Sequence, residues 1–186
     1  MVALGAVCGR FQIFHREHLE YVLAAKERCQ HLIVGITSPD SSVAPTEKED
    51  LNRSQARSNP CSYYERMRMI ESALLEAGID RADFDIVPFP IGAPHLLHFY
   101  VPRTACIFLT ILDDWGHRKA QRLQEFGYQT EVLWEKTDKG VSSSMLRQYI
   151  TDGQDWSPYV PAATYRYITQ QGIDRRIREG RSPMDE

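Results

Sequence analysis

The sequence predicts an α/β protein: a doubly wound parallel sheet of about five strands with a small C-terminal helical tail. Three observations predict it. Short apolar runs alternate with helix-period segments along the chain, the signature of strand–helix units with right-handed crossovers. One run, TACIFLTIL at 104–112, is continuously apolar, as a strand covered on both faces of a parallel sheet should be. No internal repeat or domain boundary interrupts the alternation, so residues 1–186 read as one domain.

The elements follow in order. LGAVCG at 4–9 reads as the first strand. HLEYVLAAKERC at 18–29 has apolar residues at 19, 22, 23 and 25, one helical stripe. HLIVGIT at 31–37 is a second strand, rich in β-branched residues. Residues 38–60 carry Pro, Ser, Asn and charge without a period, and read as a long flexible loop. CSYYERMRMIESALLEAG at 61–78 is a helix, opened by the capping-box pair Ser62 and Glu65 and closed by Gly78. FDIVPF at 84–89 is the third strand and 104–112 the fourth. A helix at 115–127, a fifth strand at 128–134 and a helix at 143–153 follow. Residues 155–186 form the helical tail, with two short helices.

Composition excludes several function classes. The balance over 186 residues is that of an ordinary globular protein, 42% hydrophobic and 25% charged. A formal net charge of -3 disfavours a nucleic-acid partner, which calls for a basic surface. Any phosphate contact must then be local. The four cysteines form no C-x-x-C pair and read as reduced thiols of a cytoplasmic protein. MVALGAVCGR lacks the basic start of a signal peptide, and no run is long enough for a membrane helix.

Three short stretches could carry chemistry. The first is GRFQIFHREH, at 9–18. His15 and His18 are three apart, so at a helix start they point to one side, where unpaired N–H groups and the dipole favour anions. Imidazoles there can donate to phosphoryl oxygens; equally, the pair can be packed surface histidines, and a metal pair lacks a third ligand at clear spacing. Gly9 allows close backbone approach and Arg10 can fork onto phosphate, or simply solvate a turn. Neither a P-loop nor a G-x-G-x-x-G motif is present. The second stretch is KGVSSSMLRQYI, at 139–150. Ser142, Ser143 and Ser144 before a helix, with Arg147 inside it, make a local anion cradle or a plain serine cap, with Lys136 and Lys139 nearby. The third is Asp113-Asp114-Trp115 at the end of the fourth strand. Its acids could touch a ribose, a base amine or Mg²⁺, but Asp114 is better placed to cap the next helix. Ligands of doubly wound sheets bind at strand carboxyl ends; if strands one and five are both central, the first two stretches face one another.

Taken together, GRFQIFHREH and the later GVSSSMLR resemble the nucleotidyltransferase superfamily named for its H-x-G-H motif. Within it the chain is similar to archaeal-type nicotinamide mononucleotide adenylyltransferases, with their G-R-x-Q-x-F-H-x-G-H opening and late S-G-T-x-x-R segment. NPCSYYERMRMI and DGQDWSPYVP extend the likeness through most of the chain. The resemblance implies a Rossmann-like fold and transfer of a nucleoside monophosphate from ATP or CTP, with Mg²⁺ carried on the triphosphate and not by direct protein ligation. The acceptor's phosphate attacks the α-phosphorus and pyrophosphate leaves. By position, His15, His18 and Arg147 would be catalytic. Gly9, Arg10, Phe11, Ser142, Ser143 and Ser144 would bind the nucleotide.

Two departures from the family pattern bear on the substrates. Glu17 stands where the motif has glycine: it can turn outward, or it reshapes the pocket around ribose or base. After strand three, PFPIGAPHLLHFYVP lacks the family's tryptophan and offers His95, His98, Phe99 and Tyr100 instead. The acceptor or base pocket is thus assigned to Glu17, Asp113, Asp114, Trp115, His95 and Tyr100. The reading most like the resemblance is nicotinamide mononucleotide adenylyltransferase. The alternatives are a cytidylyltransferase acting on a phosphonate or other phosphorylated metabolite, and a non-catalytic nucleotide-binding module. The partners are a nucleoside triphosphate and a small phosphate- or phosphonate-bearing molecule, with neither nucleic acid nor membrane; a homo-oligomer fits the resemblance, although no stripe marks its interface.

Overall fold

Five strands, Val2–Gly9 (β1), Cys29–Thr37 (β2), Phe84–Phe89 (β3), Cys106–Ile111 (β4) and Gln129–Glu135 (β5), pair in the order β3-β2-β1-β4-β5. Every pairing is parallel, as the alternation requires. The helices are Arg16–Lys26 (α1), Tyr63–Glu76 (α2), Asp114–Glu125 (α3), Ser143–Thr151 (α4), Ala162–Gln170 (α5) and Ile173–Arg178 (α6). The structure is a computed structural model and describes residues 1–38, 58–112, 114–135 and 140–185. Most of the expected loop 38–60 lies outside the described residues, as do Asp113, Lys136 and Lys139.

The described residues fall into two compact units. The first spans Met1–Arg10, Glu20–Ser38 and Asp80–Gly140; the second spans Phe11–Leu19, Pro39–Ile79 and Val141–Glu186. The sheet forms the first unit. Its core joins Ala6, Ile33, Ile107 and Leu109 of the strands to Leu97, Val101 and Leu123. β2 and β3 approach so closely that a Cβ on Gly35 would stand 2.8 Å from the Cβ of Phe89, which leaves room for glycine alone. Pro88 in β3 fits because β3 is an edge strand, where a missing ladder donor is tolerated.

The strand order reverses at β1, whose two neighbours are β2 and β4. The β1–β4 register runs through Gly5↔Cys106 and Ala6↔Ile107. Beyond it a phenol takes the place of the ladder. The Tyr21 hydroxyl accepts a long 3.5 Å bond from Cys8 N–H and donates to the Phe108 carbonyl at 2.6 Å. Its burial pushes the Tyr21 pKa well up. Of strands one and five only β1 is central, so the condition posed for them is not met; β4 intervenes and β5 is an edge strand. Its half-exposed residues agree with that position.

The second unit is helical. α2 opens with the expected capping box, Ser62 Oγ accepting from Glu65 N–H at 3.2 Å and Glu65 Oε2 from Ser62 N–H at 2.7 Å. It closes at Gly78, whose φ of 85° lets Ile79 N–H reach back to the Leu74 carbonyl at 3.0 Å. Glu65 also receives buried Arg176 of α6 at 2.8 Å. Glu76 caps α5, whose own cap Pro161 offers no side-chain acceptor: its carboxylate accepts from Ala163 N–H at 2.8 Å and from Arg166 at 2.6 Å. All four cysteines are buried, free thiols.

Candidate functional site

The second unit holds the loop between β1 and α1. Phe11 sits at φ 53°, a left-handed conformation rare for a bulky residue and costing about 1–3 kcal/mol. The two carbonyls after this turn accept bonds from the late segment. Arg147 Nη1 donates to the Gln12 carbonyl at 2.8 Å, and Ser143 Oγ to the Ile13 carbonyl at 3.2 Å. The two stretches singled out in the sequence therefore meet in one unit. The buried Gln12 carboxamide adds a strand-like pairing to Cys61, donating to its carbonyl at 3.0 Å and accepting from its N–H at 2.9 Å. Gln12 is the site residue that reading for charge and histidine missed. Its signal was a polar residue inside the apolar run RFQIF.

α1 begins at Arg16, two residues before the expected start, because His15 serves as its cap. The His15 carbonyl accepts from Leu19 N–H at 3.0 Å, and its N–H donates to His18 Nδ1 at 3.3 Å. This is one half of a capping box with imidazole in the role of glutamate. Because Nδ1 accepts, the His18 proton resides on Nε2. The two imidazoles stack with centroids 3.5 Å apart and 21° between planes. Phe11 meets His18 edge-on at 5.0 Å and Phe14 stacks on it at 5.8 Å. His15 is only 5% exposed, and burial pushes its pKa down to about 4, so it is neutral at pH 7. Its buried Nδ1 has no hydrogen-bond partner among the described residues. A bare lone pair there costs less than an orphaned N–H, which leaves the proton on Nε2 of His15 as well.

Across this loop stands the first turn of α4. Ser142 caps it, its Oγ accepting from Met145 N–H at 3.2 Å. Ser143 is tied to Ile13, and Ser144 Oγ accepts from Arg147 Nη2 at 3.1 Å. Burial lowers the Arg147 pKa from its ordinary value, yet a guanidinium stays charged. Outside Ser144 and Arg147 lies a cleft of about 390 Å³, also lined by Thr151, Arg178 and Arg181. Arg178 pairs with Asp174 at 2.9 Å, and Arg181 Nε donates to Glu179 at 2.7 Å.

Of the two courses open to Glu17, turning outward is not the one taken: its side chain reaches the late segment. Its Oε1 accepts from the Val141 N–H at 2.8 Å. That N–H lies just ahead of the α4 cap and has no intrahelical acceptor. A half-buried carboxylate recovers its lost hydration there through a charge-assisted bond. The remaining expected site residues belong to the first unit. Gly9 ends β1 and pairs in register with Ile36, and Arg10 follows it. Asp114 is the first residue of α3 rather than its cap, placed in the first turn where the dipole favours an acid. Lys119 Nζ lies 5.5 Å from the centre of the Trp115 ring. His95 and Tyr100 are exposed on and beside the short 3₁₀ helix Pro94–Phe99.

Two helix starts, a buried His15 stacked on His18 and one desolvated guanidinium gather polar and cationic groups in this unit. Such groups can neutralise charge on phosphoryl oxygens, the principal need of nucleotidyl transfer. The sheet, five parallel strands flanked by helices, is a Rossmann-like α/β fold. Two structures of a bifunctional NMN adenylyltransferase/ADP ribose pyrophosphatase from Francisella tularensis superpose with TM-scores of 0.72 and 0.70 at 19% and 18% identity. They cover 96% of this chain, which spans only 53% and 52% of theirs. The second of them holds AMP and a Mn ion. In sequence, the chain is 47% identical to a phosphonoformate cytidylyltransferase of Streptomyces viridochromogenes, over 94% of this chain and 95% of that protein. It is 29% identical to a nicotinamide-nucleotide adenylyltransferase of Saccharolobus solfataricus, again over 94% and 95%. Residues 6–149 match the cytidylyltransferase-like family, and the chain belongs to it. It is a nucleotidyltransferase. Related chains include both cytidylyl- and adenylyltransferases.

Proposed function

We propose that this enzyme transfers cytidylate from CTP to a small phosphonate of the phosphonoformate type, releasing pyrophosphate. The observation that carries this reading is the 47% identity to the phosphonoformate enzyme along nearly both whole chains, against 29% to the nicotinamide nucleotide enzyme. The region after β3, without a tryptophan, agrees with an acceptor that has no nicotinamide ring.

A phosphonate oxygen attacks the α-phosphorus, the α–β bridging bond breaks, and pyrophosphate departs. The nucleophile is already anionic, so no side chain need remove a proton. His18 and His15 donate from Nε2 to oxygens that gain charge. Arg147 and Ser144, with the first-turn amides of α4, hold the β- and γ-phosphates. Ser142 and Ser143 fix the start of that helix, and Gly9, Arg10 and Phe11 carry the nucleotide-facing backbone. Asp113, Asp114, Trp115, His95 and Tyr100 remain the residues proposed to contact base or acceptor. Among the described residues no group of three His, Cys, Asp or Glu could hold a metal. In this reading Mg²⁺ would be carried on the triphosphate, where it would offset phosphate charge. No helix of the described residues is long and apolar enough to cross a membrane, and we place the enzyme in the cytoplasm.

The test is pyrophosphate release from purified protein with CTP or ATP, each paired with phosphonoformate or nicotinamide mononucleotide. CTP with phosphonoformate is expected to be at least tenfold faster than any other pair. A preference for ATP with nicotinamide mononucleotide would overturn the proposal.

A further inference from the structure

We infer that Glu17 is a positioning residue, a latch that orders the triphosphate-holding start of α4 before any ligand arrives. The inference rests on the nucleotidyltransferase reading for its kinetic consequence and on geometry for the latch itself. Among the described residues, three bonds join residues 12–17 to the late segment. Two are made by groups the phosphates would also use, Ser143 Oγ on Ile13 and the Arg147 guanidinium on Gln12. A triphosphate competes with both. The third, Glu17 Oε1 on Val141 N–H at 2.8 Å, uses no donor from within α4. Val141 immediately precedes the cap Ser142, so fixing its amide fixes the direction in which the chain enters the helix. The first-turn amides at Ser143 and Ser144 and the Arg147 side chain then keep one orientation while the other two bonds exchange for phosphate contacts.

Glycine at position 17 could not do this, since it has no side chain to reach Val141. An acid is suited to the task because a carboxylate makes a stronger bond to a backbone N–H than a neutral acceptor does. Its location accounts for the presence of an acid between the two histidines: its charge is spent on an amide of the protein.

Two variants separate a latch from a bulk or charge effect. Glu17→Ala removes the acceptor, and Glu17→Gln keeps an acceptor oxygen on the same stem. Hydrogen exchange at the Val141 amide, measured on ligand-free protein, reads the latch directly. Exchange is expected to quicken at least tenfold in Glu17→Ala and to stay within about threefold of wild type in Glu17→Gln, the range a net hydrogen bond sets. In turnover, Glu17→Ala is expected to raise KM for the triphosphate roughly tenfold with kcat changed less than about threefold, because binding before and during the reaction is weakened alike. Glu17→Gln is expected to recover most of that loss. Unchanged Val141 exchange in Glu17→Ala, or a Glu17→Gln enzyme as impaired as Glu17→Ala, would overturn the latch. If the wild-type protein released no pyrophosphate from any pair, the function reading would fail while the exchange experiment still decided the latch.

Discussion

At the scale of single residues, the stacked histidines set the conditions under which the site stays intact. His15 is buried and its pKa is pushed from 6.5 down to about 4. Between those values the unfolded chain takes a proton that the folded chain refuses. Stability from this residue is therefore complete above pH 6.5 and is lost as pH falls toward 4. Wild type should lose about 2 kcal/mol more unfolding free energy between pH 7.5 and 5 than a His15→Asn variant does. Chemical denaturation at the two pH values checks this, and equal losses would show that His15 takes up its proton freely in the fold. Phe11 belongs to the same scale. Its left-handed backbone is a local cost, and the two carbonyls that follow it bind Ser143 and Arg147.

At the scale of elements, the sheet is held apart at the place where strand order reverses. The Tyr21 hydroxyl joins Cys8 N–H to the Phe108 carbonyl where the β1–β4 ladder has ended. Tyr21→Phe would leave both buried groups unsatisfied, with an expected loss of about 1–3 kcal/mol. Urea unfolding should show a lower midpoint at an unchanged slope, and an unmoved midpoint would mean that the two strands close up without the phenol. Much at this scale was legible in the sequence. Strands were readable because parallel strands buried on both faces leave continuous apolar runs, and α2 because its cap and its closing glycine are local signals. Strand order was not readable. No periodicity in YQTEVLW says that β4 lies between it and β1, and the edge position of β5 emerges only from pairing. The start of α1 was misplaced by two residues because a histidine cap is not among the usual cap residues.

At the scale of the whole molecule, the candidate site was legible as two motifs and illegible as a set of bonds. GRFQIFHREH and GVSSSMLR could be matched because both sit at helix starts, where anion chemistry needs small, polar or cationic residues. The partners could not be read. Gln12 finds Cys61 across 49 positions, and Glu17 finds Val141 across 124. Separations of that length leave no trace in local pattern. Glu17 also shows the limit of motif matching: its departure from glycine suggested a reshaped pocket, whereas its carboxylate is bound to the late segment.

The same scale sets the chemical claim, that a phosphonate oxygen becomes bonded to the α-phosphorus of CTP. Phosphorus NMR of a reaction containing enzyme, CTP, phosphonoformate and Mg²⁺ follows that bond directly. The expected spectrum gains a coupled pair, one resonance from the phosphonate and one from the cytidylate phosphorus, in equal amount with free pyrophosphate. Pyrophosphate without the coupled pair, or the coupled pair formed only when ATP and nicotinamide mononucleotide replace CTP and phosphonoformate, would contradict it.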